Sequence, residues 1–287
     1  MSPGASSVAT TQSFASAASS SNIKCSSCRC EGCEQQHEYF ISSVQMKMLW
    51  LPPLIRFSFD GYYIDKILSL IRERQLRYLE HYDSTDRIMD LNFYTNFKQR
   101  YASISDKATR VGGKSFTQLL NEFVWNGNMI DYIKGIRPYS GGIDWIGAKK
   151  ILTVMNMNNT HFVTLEILLH EGRMNVYNCN LTCTKHDAFL TFIQHVFDLL
   201  TILLRQSGII KHLLDKLLNE PWEFEGRLKF MVKITISAAC GSYSLAYIEH
   251  LITNTPVQPP NTLLCDNTVG RLQWNWIAGI IDKNLEP

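Results

Sequence analysis

No apolar run in this chain is long enough to cross a membrane. The longest, from Ala188 to Leu204, is interrupted by Gln194, His195 and Asp198, whereas a lipid-spanning helix needs about 20 mostly apolar residues. It reads as an amphipathic or buried helix, and no membrane partner is expected. An excess of one charge is missing too. The 28 Lys and Arg against 26 Asp and Glu leave a formal +2, too weak a field to argue for nucleic acid or an anionic surface. No basic segment followed by an apolar one opens the chain, so secretion is not expected and a reducing, intracellular compartment is. The cysteines lack the even framework of a small disulfide-stapled domain. Cys25, Cys28, Cys30 and Cys33 crowd together, while Cys179, Cys183, Cys240 and Cys265 are dispersed.

At 287 residues and 45% hydrophobic the sequence can bury one substantial core. Met1 to Asn22 is Ser, Ala and Thr without an acidic residue, and such a segment has too little apolar surface to offset the entropy of ordering. Its Ser-rich, acid-poor character leaves organellar import open, although no arginine precedes Arg29. Residues 1–38 are therefore expected to be a disordered Ser/Ala-rich and Cys-rich tail, and 39–287 the folded domain. Ile64, Ile67, Leu68 and Ile71 have helical spacing, with Arg72 to Arg77 expected on the solvated face; Phe116, Leu119, Leu120 and Phe123 make a second helical stripe.

Between Ile151 and Asn180 the pattern turns to strands. Phe162 to Leu168 is dense in aromatic and β-branched residues, His170-Glu171-Gly172-Arg173 supplies a turn, and Met174 to Tyr177 resumes alternation. That predicts an antiparallel hairpin. A helix from about Lys185 to Gln206 follows, then a strand at Leu228 to Ile236. Ser237-Ala238-Ala239-Cys240-Gly241 leads into a helical face of Tyr243, Ala246, Tyr247, Ile248, Leu251 and Ile252.

Cys240 thus falls where a strand and loop deliver the chain to a helix N-terminus, whose partial positive charge stabilises a thiolate. A thiol nucleophile needs a base. His161, after the polar run Asn158-Asn159-Thr160 that should keep the ring accessible, is the candidate. A third group must orient the imidazole, and Asn178 lies 178 − 161 = 17 residues on, where a returning strand comes back to the same end of the hairpin.

In the segments Thr160-His161-Phe162-Val163-Thr164-Leu165, Asn175-Val176-Tyr177-Asn178-Cys179 and Ala239-Cys240-Gly241-Ser242-Tyr243-Ser244-Leu245-Ala246-Tyr247-Ile248-Glu249, the chain resembles the ubiquitin-like-protein proteases. These are the SUMO-deconjugating cysteine proteases, and the likeness is greatest to divergent plant and transposon-associated members. A weaker likeness at Trp50-Leu51 and Tyr63-Ile64-Asp65 extends it over roughly residues 45 to 285. The order His, acid or amide, Cys matches the family. The resemblance implies an α+β, papain-like cysteine-protease fold with a mixed sheet flanked by helices. It also implies His161, Asn178 and Cys240 as catalytic residues, no cofactor, a ubiquitin-like protein of the SUMO type or its conjugates as partner, and a nuclear location. The expected reaction is cleavage of a peptide or isopeptide bond after a ubiquitin-like C-terminus.

Four positions depart from the family pattern. Phe162 stands where members usually carry Trp, Asn178 where they carry Asp, Ala239 where Asp precedes the nucleophile, and Ile234 where a glutamine donates to the oxyanion. A catalytically weak or inactive interaction module is the alternative these departures support.

Two further groups have ligand-like spacing. Cys25, Cys28, Cys30 and Cys33, with His37 spare, contain enough thiolates for one zinc, but they span only nine positions and leave no room for an intervening turn. Cys179, Cys183 and His186 lack an apparent fourth ligand. Packing, loop or tail positions are the expectation for both, and no metal site is expected.

Overall fold

Asp60 starts the first helix, α1 (Gly61–Arg77), because its extended backbone lets its side chain accept the Tyr63 N–H at 3.1 Å. The computed structural model describes residues 59–110, 113–157, 161–179, 186–212, 223–226, 240–254 and 266–285. Ile64, Ile67, Leu68 and Ile71 form the buried stripe that their spacing predicts. The charged run behind them corrects the sequence reading. Arg72 and Gln75 are buried, because α1 is covered on that side also: Arg72 Nε donates to the Ser140 carbonyl at 2.6 Å, and Gln75 Nε2 to the carbonyls of Asp83 and Asp86. Within the run 72–77 only Leu76 and Arg77 are exposed.

After β1 (Asp86–Ile88), Asp90 caps α2 (Leu91–Ala108) by accepting from Phe93 N. Ser115 and Gln118 close a reciprocal capping box on α3 (Phe116–Asn121), and Asn126 caps α4 (Gly127–Ile133). The expected stripe of Phe116, Leu119, Leu120 and Phe123 packs, partly buried, on the larger of two apolar cores.

Strands β2 (Lys150–Met157), β3 (His161–Leu168), β4 (Arg173–Tyr177) and β5 (Glu223–Gly226) join β1 in one five-stranded mixed sheet, ordered β1-β2-β3-β4-β5. The outer pairs, β1 with β2 and β4 with β5, are parallel; β2-β3 and β3-β4 are antiparallel. The hairpin predicted from the sequence is β3-β4, closed by a turn in which Gly172 takes φ 63°, a conformation that favours glycine.

Strand alternation divides the interior. Ile151, Met155 and Met157 of β2, Val163, Leu165 and Ile167 of β3, and Met174 and Val176 of β4 face a core shared with α2, α4 and α5 (His186–Ser207). Leu152, Val154 and Tyr177 face a second core with α1, α6 (Cys240–Ile252) and α7 (Asp266–Leu285). Of α6, every residue from Gly241 to Ile252 except Glu249 is buried. Glu249 is held by Arg74 at 2.7 Å and by the Trp276 indole N–H at 3.0 Å, so it ties α6 to α1 and α7.

The helix expected from about Lys185 to Gln206 is α5, with Lys185 outside the described residues. Outside them also lie the 1–38 tail with Cys25, Cys28, Cys30, Cys33 and His37, the strand expected at Leu228 to Ile236, Cys183, and Trp50-Leu51. No helix among the described residues is long and apolar enough to cross a membrane.

Candidate active site

His161 opens β3, paired with Met157 of β2, and Asn178 follows the last residue of β4. The β3-β4 register pairs Thr164 with Tyr177, so one further step opposes Asn178 to Val163, two residues from His161. Diagonal neighbours at that offset are within side-chain reach. The contact is made: His161 Nε2 and Asn178 Oδ1 are 2.8 Å apart. An amide oxygen only accepts, so Nε2 carries the hydrogen and donates. In the neutral ring this leaves Nδ1 bare, a lone pair available to take a proton.

The ring is less open than the polar residues before it suggest. His161 is 6% exposed and Asn178 2%; Asn158, Asn159 and Thr160 are outside the described residues. Burial pushes the His161 pKa below its ordinary value, and the Asn178 hydrogen bond partly opposes this by favouring the charged ring. The neutral, Nε2–H form is therefore the resting state at neutral pH.

Cys240 is the first residue of α6, where backbone N–H groups have no intrahelical partner. Two contacts and a shared apolar core tie that helix start to β3. A Cβ on Gly241 would lie 3.6 Å from Phe162 Cδ2 and 3.1 Å from Ile64 Cδ1, so glycine is what lets the first turn approach both β3 and α1 this closely. Cys240 and Phe162 border the same apolar core. One turn on, the Thr164 hydroxyl donates to the Ser244 carbonyl at 2.7 Å, and the Ser244 hydroxyl donates to the Cys240 carbonyl at 2.9 Å. The two cysteines among the described residues, neither in a disulfide, flank this region. Cys179 is buried and Cys240 is half-buried, so Cys240 is the accessible thiol.

The structure thus joins His161 to Asn178 directly and brings α6, beginning at Cys240, against the end of β3 from which His161 projects. Ile234 and Ala239 lie outside the described residues. Residue types alone did not single out Thr164, Ser244 and Gly241, which set the helix against the strand. The available signal was a glycine directly after a cysteine in an otherwise helical run, a frequent mark of close backbone approach. Among the described residues no group of three or more His, Cys, Asp or Glu side chains is arranged to hold a metal ion.

A buried imidazole bonded to an amide oxygen, at the end of the strand on which a helix beginning with a half-buried cysteine packs, is compatible with the chemistry of a cysteine-type hydrolase. The family profile described as "Ulp1 protease family, C-terminal catalytic domain" matches residues 82–284. The chain belongs to this family of cysteine proteases, and its α+β fold with a mixed sheet is the family's. One similar solved structure is SUMO protease Ulp1 with the catalytic cysteine oxidised to a sulfenic acid: 13% identity, covering 90% of this chain and 97% of that one, TM-score 0.50. Another is the C-terminal Ulp1 protease domain in complex with Smt3, the yeast ortholog of SUMO: 14% identity, 87% and 96% coverage, TM-score 0.49. No curated protein matches the sequence.

Proposed function

We propose that this domain is a cysteine-type peptidase or isopeptidase acting at the C-terminus of a SUMO-like protein, with Cys240 as nucleophile, His161 as base and Asn178 as the group that orients the ring. The observation that carries the reading is the 2.8 Å bond from His161 Nε2 to Asn178 Oδ1, made at the end of the hairpin against which the Cys240 helix packs in a chain of this protease family. Nδ1 takes the thiol proton, and the thiolate attacks the carbonyl carbon that ends the ubiquitin-like tail. The tetrahedral intermediate collapses as the imidazolium returns the proton to the leaving amine. This gives a thioester, and water activated by the same ring hydrolyses it to the free carboxylate and thiol. The Cys240 N–H, unused within the helix, is the available backbone donor to the oxyanion.

Membership of the family supports a SUMO-like substrate and a nuclear location as parts of this reading. Conjugates of a SUMO-like protein are the partners this reading assigns, with neither nucleic acid nor membrane required. Turnover of a fluorogenic SUMO substrate tests it: release of the fluorophore by the wild type and none by Cys240→Ala is expected. Equal release by both would remove Cys240 from the mechanism. A second reading, a protease-like interaction module, is favoured by the neutral Asn178, which stabilises an imidazolium less than a carboxylate; it takes over if the wild type binds SUMO but neither turns over nor forms a thioester.

A further inference from the structure

We propose that Glu166 is a positioning residue for His161: by holding Asn175 and Tyr177 it fixes the end of β4 from which Asn178 reaches the imidazole. The proposal rests on the protease reading for its kinetic consequence, but not for its structural one.

Glu166 is 4% exposed, in the middle of β3. Desolvating a carboxylate in a sheet interior is costly unless it is well bonded, and an aliphatic residue would fill the space without that cost. Oε2 of Glu166 accepts two hydrogen bonds, from Asn175 Nδ2 at 2.7 Å and from the Tyr177 hydroxyl at 2.8 Å. Asn175 is its direct cross-strand partner, and Tyr177 is the next residue of β4 on the same face. The Tyr177 ring in turn lies against Tyr247 of α6, with centroids 5.6 Å apart. Held at both its hydroxyl and its ring, Tyr177 is the residue immediately before Asn178.

The same face of β3 meets α6 step by step. Phe162 lies beside Gly241, Thr164 donates to Ser244, and Glu166 reaches Tyr247 through Tyr177. The strand repeat of two thereby follows the helix repeat of three to four. Of these three steps, Glu166 is the one whose side chain also holds side chains of β4. It therefore keeps the orienting amide in the same frame as the ring on β3 and the thiol on α6.

The test uses the full chain with 15N-labelled histidine, as wild type, Glu166→Ala, Glu166→Gln and Tyr177→Phe. The His161 tautomer and titration midpoint are read by NMR, and kcat and KM on a fluorogenic SUMO substrate. Wild type and Glu166→Gln, whose amide oxygen can accept in the same place, should keep the ring proton on Nε2. Glu166→Ala and Tyr177→Phe should show mixed tautomers and a midpoint moved further down in pH, because the Asn178 bond that favours the charged ring is weakened. In Glu166→Ala kcat should fall by about 10- to 100-fold, as slight misplacement of a catalytic group does, with KM unchanged. A Glu166→Ala protein that melts earlier but keeps the wild-type tautomer and midpoint overturns the proposal, since Glu166 would then serve packing alone. If Glu166→Ala does not fold, Tyr177→Phe decides by the same ring readout, since it removes only a hydroxyl. If the wild type has no turnover, the protease reading fails while the ring readout still decides the role of Glu166.

Discussion

Asn178 fixes the His161 tautomer as a carboxylate would, yet adds no charge to balance an imidazolium. Burial already disfavours the charged ring, so both effects weaken proton uptake from a thiol. Asn178→Asp should raise the His161 pKa and move the acid limb of kcat/KM to higher pH. At neutral pH it should speed turnover by at least about tenfold, a small part of the effect that the reverse change has in serine proteases. A pH-rate profile checks this, and an unchanged acid limb would mean that Asn178 does not hold the ring during catalysis. Before folding, the 17-residue separation of His161 and Asn178 made their meeting permissible. The strand register made it specific, because a slip of one residue would turn one of the pair to the opposite face.

At the level of elements, the β3-β4 hairpin, α5, and the helix beginning at Cys240 were legible, since each has a single dominant periodicity. Helix α2 was not singled out, although its buried Phe93, Tyr94, Phe97 and Ile104 fall on one helical face; the Asp90 cap is recognisable only once the helix start is known. The burial of Arg72 was illegible for a different reason. Its partner is the Ser140 carbonyl, 68 residues away, and local sequence carries no trace of a backbone acceptor. The approach of α6 to α1 and β3 depends on Gly241, with Ile64 Cδ1 only 3.1 Å from a would-be Cβ. Alanine there gains about 1 kcal/mol of helix propensity but overpacks a filled site, at a cost of about 1–3 kcal/mol. Gly241→Ala should therefore lower the thermal midpoint slightly, and should slow the reaction of Cys240 by more than the loss of folded protein explains. A higher midpoint with unchanged Cys240 reactivity would show that the first turn of α6 has room to spare.

Across the whole molecule, buried titratable groups pull stability in opposite directions with pH. Burial, with Lys98 adding, pushes His195 down from 6.5 to about 4, so below 6.5 the unfolded chain binds a proton that the folded one does not. Its stabilising contribution is complete above about 6.5 and is lost as the pH falls toward 4. Asp65 and Asp86, both raised by burial to about 6, act the other way: their contribution is greatest at low pH and declines as the pH rises toward 6. His195→Gln leaves the carboxyls in place. The difference in unfolding free energy between wild type and variant should therefore shrink by roughly 3 kcal/mol from pH 7 to pH 4, as measured by denaturant titration at each pH. A constant difference would contradict a buried neutral His195.

The assembly of β3, β4 and α6 around one thiol is tested most directly by reacting the full chain with a SUMO vinyl sulfone and mapping the adduct by mass spectrometry. A single adduct on Cys240, absent from Cys240→Ala and slowed in His161→Ala, is the expected result. An adduct on Cys179, or none on the wild type and none on Asn178→Asp, would contradict the assignment of Cys240 as the nucleophile.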